Sequence, residues 1–234
     1  MPASSPLVLF DIDGTLVRRA GPHHRDALAY GIRRVMGFET TTDGIPVQGM
    51  LDPVILAAML RRAGVASSQI RGSLAAIERA AARYYLRVCP PIADRLCPGV
   101  PAALAKLQRR GALLGLVTGN LTRIGWHKLE RAGLAAYFAF GAFGDMAPNR
   151  AALVKLAIAE ARRRGWTGDR DRISMVGDAP ADILAARRNR IRAIAVRTGI
   201  TPPGELEALQ PDFLLASLRQ LRLRMLSSNG TDSK

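Results

Sequence analysis

Two aspartates spaced two apart close a short apolar run near the start of the chain: Leu7-Val8-Leu9-Phe10-Asp11-Ile12-Asp13-Gly14-Thr15-Leu16. The four apolar residues read as a buried strand, and Gly14 permits a sharp turn. In an open α/β sheet, ligands bind at the carboxyl ends of strands. Two carboxylates placed there lose hydration and repel each other unless a cation sits between them. The pattern therefore points to a metal-assisted site. One carboxylate at such a strand end can act as a nucleophile on phosphorus. The second, on the same side of the turn, can protonate the leaving oxygen and later activate water.

Three further clusters can complete that site. Val117-Thr118-Gly119-Asn120 runs from a strand into a small polar turn and then a helix. The Thr118 hydroxyl and the backbone N–H groups of Gly119 and Asn120 can hold a phosphoryl oxygen at the helix start, although a plain helix cap has the same composition. Arg150 opens a periodic helix, where a fixed cation can neutralise both a phosphate and the nucleophilic carboxylate. Lys155 competes for that role from more than a turn into the same helix. Met175-Val176-Gly177-Asp178-Ala179-Pro180-Ala181-Asp182 is another strand ending in Gly-Asp, with a second aspartate four residues on. Asp178 can face Asp11 and Asp13 and complete an oxygen-rich site. Asp182 can orient the metal's surroundings or cap backbone groups of Gly177 and Asp178. Oxygen ligands and a phosphate substrate favour Mg²⁺ over zinc or copper.

The segments that must carry these clusters alternate. From Leu96 onward the patterns give a helix over Val100–Arg110, a strand over Ala112–Val117, a helix over Leu121–Ala132 and a short strand over Tyr137–Phe143. A helix over Ala151–Arg164, a strand over Arg172–Val176, a helix over Ala181–Asn189 and a strand over Arg192–Val196 follow. Asp212–Leu215 reads as a last edge strand and Leu218–Leu226 as a helix. This spacing implies parallel βαβ units in a doubly wound, mostly parallel α/β sheet. The stretch from Val17 to about Asp94 differs, since its patterns are helical. Ile70, Leu74, Ile77, Ala81, Tyr84, Tyr85 and Val88 keep steps of three and four along one face, and Leu28, Ile32, Val35 and Met36 do the same. The expectation is a core of residues 1–17 and 94–234 with an all-α cap at 18–93 inserted after the first strand, and a polar, frayed tail at 227–234.

A chain of 234 residues can bury a full core, and 48% hydrophobic residues argue against wholesale disorder. No apolar run approaches the roughly 18–20 residues of a membrane span. There is no basic segment followed by a long apolar one at the N-terminus, so a soluble cytoplasmic protein is expected. Cys89 and Cys97, without a nearby histidine, make neither a disulfide framework nor a zinc site, and are expected reduced, with a local disulfide as the alternative. The net charge of +15 invites a nucleic-acid reading. Its placement argues otherwise: arginine supplies 30 of the 34 positive residues, scattered and often just before a glycine, as at Arg61-Arg62-Ala63-Gly64 and Arg162-Arg163-Arg164-Gly165. That is the composition of helix ends. No nucleic acid or membrane partner is expected; the field can still draw anionic substrates.

Taken as a set, DIDGT at Asp11–Thr15, Thr-Gly-Asn at Thr118–Asn120, Arg150 and GDAPAD at Gly177–Asp182 resemble the haloacid dehalogenase superfamily, in particular its phosphoglycolate-phosphatase-like phosphatases with a helical cap. The resemblance covers almost the whole chain. It implies that Asp11 attacks phosphorus and forms a phospho-aspartyl intermediate. Asp13 would be the general acid/base and give a backbone carbonyl to Mg²⁺, Thr118 would bind the phosphoryl group, Asp178 would ligate Mg²⁺, and Asp182 would support that site. Asp11, Asp13 and Asp178 would then hold one metal ion, and Thr118, Gly119, Asn120 and Arg150 the phosphate. Gly49-Met50-Leu51-Asp52 would help enclose the substrate. The sequence departs from the family's pattern in two places. Arg150 stands where most members have lysine, which keeps charge but makes it a planar fork. Ala179 stands where a small hydroxyl residue is common. The implied reaction is Mg²⁺-dependent hydrolysis of a small phosphorylated metabolite by a monomer or homodimer. The rivals are a sugar-phosphate mutase with the same catalytic parts and a non-enzymatic basic binding protein on the same fold. His23 and His24 read as a solvated helix start or a substrate contact, His127 as non-catalytic, Trp126 and Trp166 as packing residues.

Overall fold

Strand β1, Leu7–Phe10, is buried at all four positions, and its side chains alternate between two apolar clusters. Val8 and Phe10 join one, Leu7 and Leu9 the other. A strand clothed on both faces belongs inside a helix-covered sheet. The computed structural model describes residues 5–18 and 22–226, and the tail expected at 227–234 lies outside them. The other strands are β2 (Leu113–Val117), β3 (Phe140–Ala142), β4 (Ile173–Gly177), β5 (Arg192–Val196) and β6 (Phe213–Leu215). They form one sheet in the order β3-β2-β1-β4-β5-β6, and every pairing is parallel. The doubly wound α/β architecture follows directly.

Between β1 and the rest of the sheet come α1 (His23–Met36), α2 (Asp52–Arg62) and α3 (Ser67–Val88). The chain leaves the core beside the point where it returns: Leu16 O accepts from Cys97 N–H at 2.9 Å, and Arg18 N–H donates to Arg95 O at 2.7 Å. Ile70, Ile77, Ala81 and Tyr85 are buried along α3, as their spacing requires, against Leu28 and Ile32 of α1 and Ile55 and Leu56 of α2. Val35, expected on the same face of α1, is exposed. Cys89 and Cys97 are free thiols.

The covering helices of the core are α4 (Val100–Arg109), α5 (Thr122–Arg131), α6 (Arg150–Arg163) and α7 (Pro180–Arg188), with a short α8 (Glu205–Ala208) before β6. Arginines fill the last turns of α2, α5, α6 and α7, where they oppose the helix dipole. Much of the +15 charge is thus placed by helix chemistry. Two elements differ from expectation. The strand near 140 is shorter because Ala135–Tyr137 folds as a 3₁₀ turn, held by Tyr137 N–H on Leu134 O at 3.1 Å. Leu218–Leu226 is two 3₁₀ turns, Leu218–Gln220 and Leu223–Leu226, broken by an extended Leu221. Gln220 Oε1 accepts from Ala216 N–H at 2.7 Å, and Leu218, Leu221 and Leu226 are buried. The i, i+3, i+8 spacing of these three would suit one stripe of an α-helix as well; the extended backbone at Leu221 is what divides the segment.

Helices α1 and α3 cross at Gly31. A Cβ added there would stand 2.7 Å from Ile77 O and 3.0 Å from Ala81 Cβ. Helix propensity alone makes Gly31→Ala stabilising by about 1 kcal/mol. The opposing contact is backbone and cannot yield cheaply, so the two helices must separate. Gly31→Ala is expected to be destabilising by about 1–3 kcal/mol net, read as a lower thermal midpoint; an unchanged or higher midpoint would contradict this crossing.

Candidate active site

The ends of β1, β2 and β4 are level, with Phe10 in register with Leu116 and Val176. Chain order reverses about β1, so the residues after these three strands open into the crevice where α/β sheets bind ligands. Asp11 N–H is tied to Val176 O at 2.9 Å. Gly14 has φ +84°, and a Cβ on it would lie 2.4 Å from Asp178 Oδ2. Glycine is what lets the loop after β1 close onto the end of β4. Thr15 Oγ1 donates to Asp178 Oδ1 at 3.2 Å.

Asp11, Asp178 and Asp182 are buried and offer carboxylate oxygens that all lie within 4.8 Å of one another. Arg150, the first residue of α6, is the cation among them. Its Nη1 donates to Asp11 Oδ1 at 3.1 Å, Asp182 Oδ1 at 2.8 Å and Val117 O at 3.3 Å, and its Nη2 reaches Gly49 O at 3.4 Å. Burial works against the guanidinium charge, but Asp182 and Asp11 outweigh it and push its pKa further up. Burial pushes the Asp178 carboxyl up, and Asp11 and Asp182 add to the rise. Asp182 is also raised, by burial first, despite Arg150. Asp182 Oδ2 accepts from Ala179 N–H at 3.0 Å and so braces the turn that presents Asp178. One cation among three carboxylates leaves unbalanced negative charge. That charge and the all-oxygen donor set fit a divalent metal ion.

The grouping of carboxylates differs from the one expected. The third member of the cluster is Asp182, and the Asp13 carboxylate points elsewhere. Its oxygens accept from Lys128 Nζ, both at 2.7 Å, and Oδ2 also accepts from Asn120 Nδ2 at 2.7 Å. Burial works against the Asp13 charge, but Lys128, His24 and these hydrogen bonds outweigh it and hold its pKa below the usual value.

Thr118 is fully buried; its Oγ1 accepts from Asn120 Nδ2 at 2.7 Å, which leaves its O–H to donate. Asn120 N–H is turned to Thr118 Oγ1 at 3.4 Å, so Asn120 orders the turn through both of its donors. Gly119 lines the cavity, and its carbonyl accepts from Asp52 N–H at 2.8 Å. Lys155 is exposed.

Lys128 was not anticipated, although its signal is present. Leu121, Ile124, Gly125, Lys128 and Leu129 fall at three- and four-residue steps, with α5 beginning after Leu121, and all five are buried. A lysine on the apolar face of a helix is the anomaly that marks it. His24 is likewise no solvated helix start. Its Nε2 lies 2.9 Å from Asp52 Oδ2 and its Nδ1 lies 3.2 Å from Lys128 Nζ. Lys128 can donate to Nδ1 only if the ring proton is on Nε2, facing Asp52. Asp52 Oδ2 also accepts from Leu121 N–H at 2.8 Å. Trp166 is buried with its Nε1 on Ser5 O at 2.8 Å, and Trp126 packs on Phe143. Asp11, Asp13, Asp178, Lys128 and Arg150 open on a cavity of about 830 Å³ roofed by Leu28, Val47, Ile55 and Tyr85 of the helical insert.

Known proteins resemble this chain in sequence and fold. The family description "haloacid dehalogenase-like hydrolase" matches residues 6–189. The chain is 31% identical over 234 residues to the phosphoglycolate phosphatase of Agrobacterium fabrum, covering 97% of this chain and 96% of that one. It is 28% identical over 222 residues to the probable phosphatase IndB of Dickeya dadantii, covering 92% and 91%. Among solved structures, CbbY from Rhodobacter sphaeroides in complex with phosphate superposes with a TM-score of 0.71 at 22% identity, covering 95% of this chain and 99% of that one. The β-phosphoglucomutase of Clostridium difficile does so with a TM-score of 0.73 at 17% identity, covering 94% of each. Among the described residues no helix is long and apolar enough to cross a membrane. With a family match across most of its length and full-length relatives that are phosphatases, the chain belongs to the haloacid dehalogenase-like hydrolases.

Proposed function

We propose that this protein hydrolyses a small phosphate monoester in two steps through a phosphorylated Asp11. The observation that carries this reading is the separation of two aspartates only two residues apart. Asp11 is buried against Arg150, while Asp13 is turned toward Lys128 and Asn120. Different surroundings give two like groups different roles.

In the first step an Asp11 carboxylate oxygen attacks phosphorus and the bond to the leaving oxygen breaks. Asp13 delivers a proton to that oxygen. In the second step Asp13 takes a proton from water, the water oxygen bonds to phosphorus, and the Asp11–phosphorus link opens. The pairing with Lys128 favours the ionised form of Asp13, which is the form the second step needs. A phosphate dianion seated beside it strengthens its hold on a proton, as the first step needs. Arg150 and the Thr118 hydroxyl hold the equatorial oxygens, with the Gly119 N–H. Asp11, Asp178 and the Asp13 carbonyl would hold Mg²⁺, which supplies charge neutralisation at the phosphate. Asp182 acts through Arg150 and the Ala179 turn. The helical insert closes over the cavity and limits water. The substrate is a small phosphorylated metabolite; the names of the relatives make 2-phosphoglycolate the first to test.

Asp11→Asn is expected to lower phosphate release about a thousandfold or more, and Asp13→Asn about 10²–10⁴-fold, against 2-phosphoglycolate and a panel of phosphorylated metabolites. Near wild-type turnover by folded Asp11→Asn would refute the mechanism. Exhaustive chelation is expected to abolish activity and Mg²⁺ to restore it; activity that survives chelation would remove the metal. The raised carboxyls fix the sign of a pH effect. The metal-free native state holds protons that the unfolded chain releases, so its stability is fullest at and below ordinary carboxylate pKa values and declines as pH rises through the raised ones. Mg²⁺ must displace those protons, so its affinity rises over the same interval. Thermal midpoints with and without Mg²⁺ at several pH values read both trends, and a metal affinity that falls as pH rises toward neutrality would be the wrong sign.

A further inference from the structure

Lys128 is 2% exposed, and each of its ammonium protons has an acceptor. These are Asp13, with both oxygens at 2.7 Å, Asn120 Oδ1 at 2.6 Å and His24 Nδ1 at 3.2 Å. The Tyr85 ring closes the remaining side, 5.9 Å from Nζ. Stability gives no reason for a lysine on this face of α5. Burying an ammonium carries a desolvation cost of several kcal/mol, and apolar residues often replace buried ion pairs without loss. What the lysine does that leucine would not is grip Asp13. The grip has a second end. His24 belongs to α1, it is bonded to Asp52 at the start of α2, and Asp52 in turn binds Leu121 N–H and Gly119 O. A continuous chain, Asp52–His24–Lys128–Asp13, therefore runs from the helical insert to the aspartate that handles protons.

We propose that Lys128 is the positioning residue for Asp13: it fixes the direction of that carboxylate, and through His24 it makes the direction depend on the insert being seated. This rests on the reading of Asp13 as proton donor to the leaving oxygen. An insert that swings away takes His24 with it and leaves Lys128 with one acceptor fewer. The Asp13 carboxylate is then free to turn, and proton delivery is matched to the closed cavity.

The test compares kcat/KM, which reports the phosphoryl-transfer step, on two esters. An alkyl ester such as 2-phosphoglycolate needs its leaving oxygen protonated; p-nitrophenyl phosphate does not. Lys128→Met is expected to lose about 10–100-fold on the alkyl ester, and at most about threefold on p-nitrophenyl phosphate. His24→Ala is expected to show the same split at about 3–10-fold on the alkyl ester, and Lys128→Arg to recover part of the loss. A purely structural defect lowers both substrates alike, so equal losses, or no loss on the alkyl ester, overturn the proposal. Asp13→Asn is the reference. If it shows the split and the Lys128 and His24 variants do not, this inference alone fails. If Asp13→Asn shows no split, the role assigned to Asp13 fails and takes the inference with it. Should Lys128→Met not fold, the partly exposed His24→Ala carries the comparison.

Discussion

Three carboxylates with oxygens inside 4.8 Å cannot all stay charged and buried without cations, and much of the site follows from that. Arg150 lies between Asp11 and Asp182 and answers part of the charge. Burial first, and then the charge that Arg150 leaves unanswered, keep the Asp178 and Asp182 carboxyls raised. The fold arranges this with short means: three parallel strands ending level, a glycine that lets one loop touch the next strand's aspartate, and a helix that begins with the arginine.

Asp13 escapes that crowd although it is two residues from Asp11. Its carboxylate finds a different cation, Lys128, and a different amide, Asn120. Two buried cations thus sort two neighbouring aspartates. The one against Arg150 lies among carboxylates whose oxygens suit a divalent ion. The other is held by an ammonium and an amide at the edge of the cavity. A nucleophile must be kept ionised and facing phosphorus, and a proton carrier must exchange with the substrate and with water, so the separation suits the roles proposed for Asp11 and Asp13.

The sequence made strands β1, β2, β4 and β5 legible because buried parallel strands are short apolar runs whose ends carry the polar residues. Asp11, Thr118, Arg150 and Asp178 were legible for the same reason: each stands where a strand or loop meets a turn or helix. Other features were hidden in packing. The direction of the Asp13 side chain is set by Lys128, 115 residues away, and local pattern is blind to that separation. Lys128 hid inside a helix that reads as ordinary until its buried face is counted. The 3₁₀ turns over Leu218–Leu226 escaped because leucines at close spacing serve an α-helix and a tight, irregular cover equally well.

The arginine at position 150 gains a reason from the insert. An ammonium concentrates its donors on one nitrogen, whereas a guanidinium spreads them along a rigid fork. Here the fork spans two bodies: Nη1 serves Asp11, Asp182 and Val117 O in the core, while Nη2 reaches Gly49 O in the loop before α2. Three residues along from Gly49, Asp52 holds His24 and Leu121 N–H. The same short stretch of the insert therefore touches the cation beside Asp11 directly, and reaches the cation beside Asp13 through one histidine. A displacement of that stretch from the core would break both contacts. The two aspartates thus answer to one stretch of the insert, although they have no cation in common.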